Sequence, residues 1–161
     1  MKTMNSKILS QIINLTTQAG EIIMDLRANS SDYSIKADNT PVTLADKASH
    51  ELIVNTLQKL TPNTPILSEE SSHIPFSTRK SWDEYWLIDP LDGTRDFIDG
   101  SPDFCISIAL IRDNYPVFGL IYSPFNKVHY YRFENNASVK LVNKTTSTIL
   151  TSKPKRWEKI V

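Results

Sequence analysis

The stretch WLIDPLDGTRDF, Trp86–Phe97, joins an apolar run to a sharp turn and carries three aspartates within eight residues. Its first part, preceded by Glu-Tyr, is a short, solid apolar run of the kind that a strand buried in a sheet shows. Asp89 precedes a proline, which favours extended backbone, and Gly93 permits a tight turn. The sequence therefore predicts a buried strand that ends in an acidic turn, with Asp92 folded back beside Asp89.

Two amphipathic helices are predicted on the N-terminal side of this strand, over residues 5–28 and 43–60. In both segments apolar residues recur at steps of three and four, which is the period of a helix with one buried face. A polar loop closed by Pro41 separates them. The prolines of TPNTP end the second helix, because proline cannot continue a helix.

Short strands are predicted for the rest of the chain. PILSEE precedes a polar loop over residues 71–83, and apolar and other residues alternate from Phe104 to Ile111. VFGLIYS, VHYYRF and SVKLVN follow as three further strands, joined by short loops with proline or asparagine. The predicted fold class is α+β, a layered α–β sandwich in which two helices pack on a mostly antiparallel sheet.

Composition excludes several classes of protein. The 161 residues carry 18 basic and 18 acidic side chains, whereas a general nucleic-acid-binding protein more often has a basic excess. No run of 18 apolar residues is present, so no transmembrane segment is predicted. Cys105 is the single cysteine, so no internal disulfide forms; a reducing cytoplasm is expected, with Cys105 packed in a strand.

Acidic residues stand at the ends of successive apolar runs. Glu69 and Glu70 follow PILS, Asp89 follows YWLI, and Asp92 comes three residues later. Ends of neighbouring strands converge, and the turn directs the Leu91 carbonyl into the same space. A donor set made only of oxygen suits Mg²⁺ or Mn²⁺, whereas zinc prefers His and Cys.

A short helix is predicted to begin at Thr94, in TRDFIDG. The N–H groups at the start of a helix attract anions, so a metal cluster facing them would form a phosphate site. Its chemistry would be metal-assisted phosphoryl transfer to water.

Structural interpretations of the same residues remain open at this point. Asp-Gly is a common turn pair, and TLAD fits a capping box in which Asp46 only fixes the start of a helix. The histidines His50, His73 and His129 have no ligand spacing and are interpreted as surface or packing residues.

The motifs together resemble the inositol monophosphatase superfamily of lithium-sensitive, Mg²⁺-dependent phosphatases. TPVTLAD, the Glu-Glu pair and DPLDGT occur in this order, and DPLDGTRDFI with TPVTLADKAS is similar to the CysQ-type 3'(2'),5'-bisphosphate nucleotidases. At the positions of Leu91, Arg95 and Asp96, inositol monophosphatases more usually have Ile, Thr and Asn. The resemblance extends from about residue 5 to residue 142 and implies the N-terminal domain of the sugar-phosphatase fold.

The resemblance implies a role for each motif residue. Glu69, Asp89, the Leu91 carbonyl and Asp92 would hold two or three Mg²⁺ ions, with Mn²⁺ as an alternative. Residues implied to contact the substrate are Glu69, Leu91, Asp92, Gly93 and Thr94. The residues implied to be catalytic are Asp46, Glu69 and Thr94. Glu69 would hold the attacking water. The Thr94 hydroxyl would pair with the Asp46 carboxylate and help to remove a proton from that water. Glu70 would lie behind the ligands.

The implied reaction removes the 3'-phosphate of adenosine 3',5'-bisphosphate and yields AMP, which recycles a by-product of sulfate assimilation. The activated sulfate donor is a second implied substrate. A cytoplasmic location, with peripheral attachment at the inner membrane as a variant, and inhibition by lithium are further expectations. Two alternatives stay open: an inositol or sugar monophosphatase, and a non-catalytic fragment that needs a partner chain.

Residues 1–145 are predicted to form the metal- and phosphate-binding domain, and residues 146–161 to begin a truncated C-terminal α/β domain. Members of the family are longer and carry a Trp-Asp motif that completes the second metal's ligands; Trp157-Glu158 is not that motif. We therefore expect little or no activity from this chain alone. A homodimer or a complementing C-terminal chain is the expected partner.

Overall fold

The computed structural model describes residues 5–29, 33–35, 41–133, 136–142 and 146–150, with side chains for residues 5–28, 44–133 and 136–142. Four helices and nine strands lie in these ranges. In chain order they are α1 (Ser6–Asn29), β1 (Tyr33–Ile35), β2 (Pro41–Thr43), α2 (Leu44–Leu60), β3 (Ile66–Ser68), α3 (Phe76–Arg79), β4 (Glu84–Asp92), α4 (Thr94–Ile98), β5 (Cys105–Arg112), β6 (Tyr115–Ser123), β7 (Val128–Phe133), β8 (Ser138–Val142) and β9 (Thr146–Leu150).

Strands β3 to β9 form one sheet in sequential order, and β1 pairs separately with β2. Only the β3–β4 pair of this sheet is parallel; its other neighbouring strands run antiparallel. The predicted α+β architecture with a mostly antiparallel sheet is confirmed. Strand β9 pairs with β8 in the same sheet, and the predicted domain boundary at residue 145 stays a prediction.

Helices α1 and α2 cover one face of the large sheet. Strand alternation sends Trp86 and Ile88 of β4 to the helices, where both side chains are buried, whereas Leu87 between them is 42% exposed on the opposite face. The core between the layers is aliphatic and aromatic: Ile12, Leu15, Ala19, Ile23, Ile53, Leu57, Trp86, Ile88, Ile106, Ile108, Phe118 and Leu120. Among the described helices, none is long and apolar enough to cross a membrane.

Three local features differ from the sequence prediction. The segment predicted as a polar loop up to Pro41 contains β1 and the first residue of its partner β2, and the loop over residues 71–83 contains the single turn of α3. These elements are too short to show a hydrophobic period, and unlike β3 they contain no continuous apolar run that marks a strand. Strand β4 also continues beyond Asp89 to Asp92, with an irregular register between these two residues.

Gly20 of α1 lies against the sheet at a point where no side chain fits. A Cβ atom at this position would stand 2.5 Å from Cε1 of Tyr122, whose ring stacks on His129 with 4.0 Å between ring centroids. The close approach of helix and sheet therefore depends on this glycine.

We predict that Gly20→Ala lowers the free energy of unfolding by about 1–3 kcal/mol through overpacking, although alanine is favoured in helices by about 1 kcal/mol. Urea denaturation measures the change. In a Tyr122→Ala background, where the ring is absent and Cβ of Pro124 at 3.1 Å is the remaining close atom, the same substitution should cost clearly less. A loss of equal size in both backgrounds would contradict this account of the contact.

Candidate metal and phosphate site

The parallel pairing of β3 and β4 brings two acidic strand ends together. Ser68 is paired with Ile88, and the Glu69 N–H donates to the Ile88 carbonyl at 3.2 Å, so Glu69 continues the ladder beside Asp89. Because Ser68 and Ile88 are buried towards the helices, alternation directs Glu69 and Asp89 to the opposite face. Both residues line the same groove on that face.

The electrostatics of Asp89 show how closely the carboxylates approach. Burial first, then the charges of Glu69 and Asp92 and a hydrogen bond with Glu69, raise the pKa of Asp89 from 3.8 to about 7. The Leu91 N–H, which donates to Asp89 Oδ1 at 3.2 Å, acts in the opposite direction. A proton or a cation placed among these three acidic groups would therefore offset their repulsion.

The turn after Asp89 is built on a left-handed glycine. Gly93 has φ 85° and ψ 37°, and a Cβ atom there would lie 2.7 Å from the Asp103 carbonyl oxygen. Its carbonyl accepts the Phe97 N–H at 2.9 Å, which begins α4 at Thr94 as predicted. The Thr94 hydroxyl donates to the Leu91 carbonyl at 3.0 Å and closes the turn.

The donor set fits a hard divalent cation. Carboxylates of Glu69, Asp89 and Asp92 and the Leu91 carbonyl offer only oxygen, which Mg²⁺ and Mn²⁺ prefer. Within the described ranges, however, no three His, Cys, Asp or Glu side chains already stand in a ligating arrangement. Glu69 and Asp92 are exposed, so rotation of these two side chains is free to bring their oxygens to a shared ion.

The hydrogen bond between Thr94 and Asp46 stays a prediction. In this structure the Thr94 hydroxyl directs its proton to the Leu91 carbonyl. Asp46 lies in the first turn of α2 and its side chain is 3% exposed. Asp96 of α4 is exposed, and Glu70, whose charge acts on His50, is half-buried.

The sequence did not predict that several further residues lie next to the turn. Cys105 lies at the start of β5 opposite Asp92, half-buried, with its Sγ 3.9 Å from Asp92 Oδ2. His50 contacts Ser68, the residue before Glu69, and Ser49 contacts Pro90, the residue after Asp89. Ser49 and His50 are adjacent in α2 and project about 100° apart, and the sequence pattern does not identify the partner of either side chain.

An apolar groove of about 700 Å³ extends from the carboxylates along the open face of the sheet. It is lined by Leu87, Ala109, Ile121 and Tyr130, and three of these large side chains are 39–49% exposed. Contiguous exposed apolar surface of this kind marks an interaction site in a folded protein.

Comparisons with known proteins are consistent with one family. A model described as the inositol monophosphatase family matches residues 4–154. The chain is 42% identical over 131 residues to the 3'(2'),5'-bisphosphate nucleotidase CysQ of Haemophilus influenzae; the match covers 81% of this chain and 49% of that protein. The chain therefore spans about half the length of the curated relatives it matches.

Solved structures agree in fold. CysQ from Bacteroides thetaiotaomicron is 37% identical with a TM-score of 0.69, and the match covers 89% of this chain and 50% of that one. The extragenic suppressor protein suhB from Bartonella henselae is 28% identical with a TM-score of 0.74, covering 84% and 52% of the two chains.

We predict that Gly93→Ala lowers the free energy of unfolding by about 3 kcal/mol, because the left-handed conformation and the Asp103 carbonyl both oppose a Cβ atom. Denaturant titration measures the loss. Gly119→Ala is the matched control, since a Cβ atom at Gly119 would meet nothing within 4 Å. Comparable losses in the two variants would show that the turn does not require glycine.

A second prediction concerns pH. The folded-state pKa of Asp89, about 7, lies above the ordinary 3.8. Its stabilising contribution is therefore complete below about pH 4 and is lost as pH rises through about 7. The measurement is made in the presence of a metal chelator. Between about pH 5 and about pH 8, the free energy of unfolding of the unaltered chain should fall more steeply than that of Asp89→Asn. Parallel pH profiles would contradict the assignment.

Proposed function

The chain belongs to the inositol monophosphatase family, and we propose that it supplies the metal- and phosphate-binding half of a phosphatase that removes the 3'-phosphate of adenosine 3',5'-bisphosphate to give AMP. The observation that carries the proposal is the convergence of Glu69, Asp89 and Asp92, beside a glycine turn, in a chain about 40% identical to named bisphosphate nucleotidases.

The proposed ligands of Mg²⁺ are Glu69, Asp89, Asp92 and the Leu91 carbonyl, with Mn²⁺ as an alternative ion and two or three ions as the proposed number. When bound, the ions would supply positive charge at the phosphate and acidify a coordinated water. The raised pKa of Asp89 supports this assignment, because a site that holds a proton between crowded carboxylates also attracts a cation.

The phosphate would be bound by the turn that begins α4. In the proposal the Gly93 and Thr94 N–H groups donate to phosphate oxygens, and Gly93 keeps the backbone close because it lacks a side chain. Rotation of the Thr94 hydroxyl away from the Leu91 carbonyl would free that carbonyl and allow a hydrogen bond to Asp46. This pair, with Glu69, would orient the attacking water and receive its proton.

Substrate class is the finer part of the proposal. A nucleotide with two phosphates is favoured because the named relatives at about 40% identity are bisphosphate nucleotidases, whereas suhB is 28% identical. An inositol or sugar monophosphatase is the second candidate, since the matching model is described as the inositol monophosphatase family. The setting that we propose is a cytoplasmic step that recycles a product of sulfate assimilation, with inhibition by lithium.

Completion of the site by further protein is also proposed. The chain spans half the length of its relatives, and the apolar groove ends at the proposed metal ligands. Protein packed on the groove would cover Leu87, Ile121 and Tyr130 and could add ligands and nucleotide contacts. A complementing half is favoured over a homodimer on these grounds, and activity of this chain alone should be weak or absent.

We predict that Asp89→Asn lowers Mg²⁺-dependent phosphate release by at least about a hundredfold, because it removes one charge from the centre of the ligand set. Release is measured for this chain alone and after mixing with the complementary half of a CysQ relative. Asp99→Asn, which alters an exposed aspartate at the end of α4, is the control and should retain activity.

The substrate is tested in the same assay with adenosine 3',5'-bisphosphate and inositol 1-phosphate. Preference for the nucleotide supports the first candidate, and preference for inositol 1-phosphate supports the second. Turnover by Asp89→Asn equal to that of the unaltered protein would remove Asp89 from the mechanism, whichever substrate is used.

A further inference from the structure

Helix α2 contacts the ends of β3 and β4 on the face of the sheet opposite the acidic side chains. Ser49 and His50 are adjacent in α2, and each hydrogen-bonds a group next to a different proposed metal ligand. The carboxylates of Glu69 and Asp89 lie on the open face of the sheet, so α2 acts on the face opposite the ion.

Ser49 compensates for an interruption in the sheet. Between Asp89 and Asp92 the β4–β5 ladder loses its regular register, which leaves Pro90 without a paired residue in β5. The Ser49 hydroxyl, which is fully buried, donates to the Pro90 carbonyl at 2.9 Å. Because Pro90 lies between Asp89 and Leu91, this bond fixes the backbone from which two proposed ligands project.

His50 makes the corresponding bond between α2 and the neighbouring strand β3. Its Nδ1 lies 2.9 Å from Oγ of Ser68, which is buried and is the last residue of β3. Alternation then directs the next residue, Glu69, to the opposite face. Holding Ser68 against α2 therefore determines where the Glu69 side chain begins.

We propose that Ser49 and His50 are positioning residues that set the separation of the Glu69 and Asp89 carboxylates for the metal ion. The inference rests on the proposed function, because it takes these carboxylates to be metal ligands. Two bonds from adjacent residues of one rigid helix tie both strand ends to a common support, so the loss of either releases one ligand relative to the other.

The chain contains a matched control at the other end of the same helix. Thr61, just after α2, accepts a hydrogen bond from Trp86 Nε1 at 2.9 Å, so it also joins α2 to β4. Trp86 lies at the opposite end of β4 from the turn. Thr61→Val removes a helix-to-strand bond of the same kind without touching the proposed ligands.

The test measures Mn²⁺ dissociation constants by electron paramagnetic resonance for the unaltered chain, Ser49→Ala and Thr61→Val, together with their unfolding free energies. We expect Ser49→Ala to bind Mn²⁺ about fivefold more weakly, the effect of one buried hydrogen bond. Thr61→Val should lose comparable stability yet keep its Mn²⁺ affinity within about twofold. If the role of Ser49 were merely structural, Ser49→Ala and Thr61→Val would have the same Mn²⁺ affinity.

A second pair of variants tests the other strand and guards against misfolding of Ser49→Ala. His50→Ala should weaken Mn²⁺ binding about fivefold, whereas His50→Asn, whose amide can replace Nδ1, should restore most of the affinity. Equal Mn²⁺ affinity in Ser49→Ala, His50→Ala and the unaltered chain would overturn the positioning role and leave the metal site standing. Absence of Mn²⁺ binding by the unaltered chain would overturn the metal site and this inference with it.

Discussion

Crowding of like charges at two adjacent strand ends is the constraint on which the rest of the site depends. Glu69 and Asp89 directly follow the paired residues Ser68 and Ile88 of two parallel strands, and burial together with the charges of Glu69 and Asp92 raises the pKa of Asp89 to about 7. A protein keeps such an arrangement only if the surrounding structure fixes the backbone and a cation or proton offsets the charge. The buried core below, with Trp86 and Ile88 pointing away from the acids, provides that fixed backbone.

The turn and the helix behind it complete the restraint. The irregular register at the end of β4 leaves the Asp92 charge within electrostatic reach of Asp89, and Gly93 then lets the chain turn against the Asp103 carbonyl. Helix α2 then holds the back of both strands through Ser49 and His50. In the proposed reaction, the ligands are positioned by rigid elements while the exposed Glu69 and Asp92 side chains retain the freedom to adjust to an ion.

Patterns of apolar residues were sufficient to predict the long elements. Helices α1 and α2 follow from a period of three to four, β5 from alternation, and β6 to β8 from short runs between turn residues. Strand β4 was predicted from a solid apolar run, although Leu87 between its buried residues is exposed. Strands β1 and β2 are too short to show a period. The convergence of Glu69 with Asp89 was predictable, because both residues follow apolar runs that form neighbouring strands. The Thr94 bond to the Leu91 carbonyl depends on the geometry of the turn. The Ser49 bond to the Pro90 carbonyl depends on the irregular register of β4, and the local sequence encodes neither feature.

The central claim is that Glu69, Asp89 and Asp92 together hold divalent cations. Anomalous diffraction from crystals of this chain grown with Mn²⁺ tests it most directly, because the anomalous signal locates the metal independently of any assumption about ligands. The account predicts at least one peak among these three carboxylates and the Leu91 carbonyl, with metal–oxygen distances of about 2.0–2.3 Å. A peak elsewhere, or a metal at the turn with the Glu69 carboxylate directed away from it, would contradict the account.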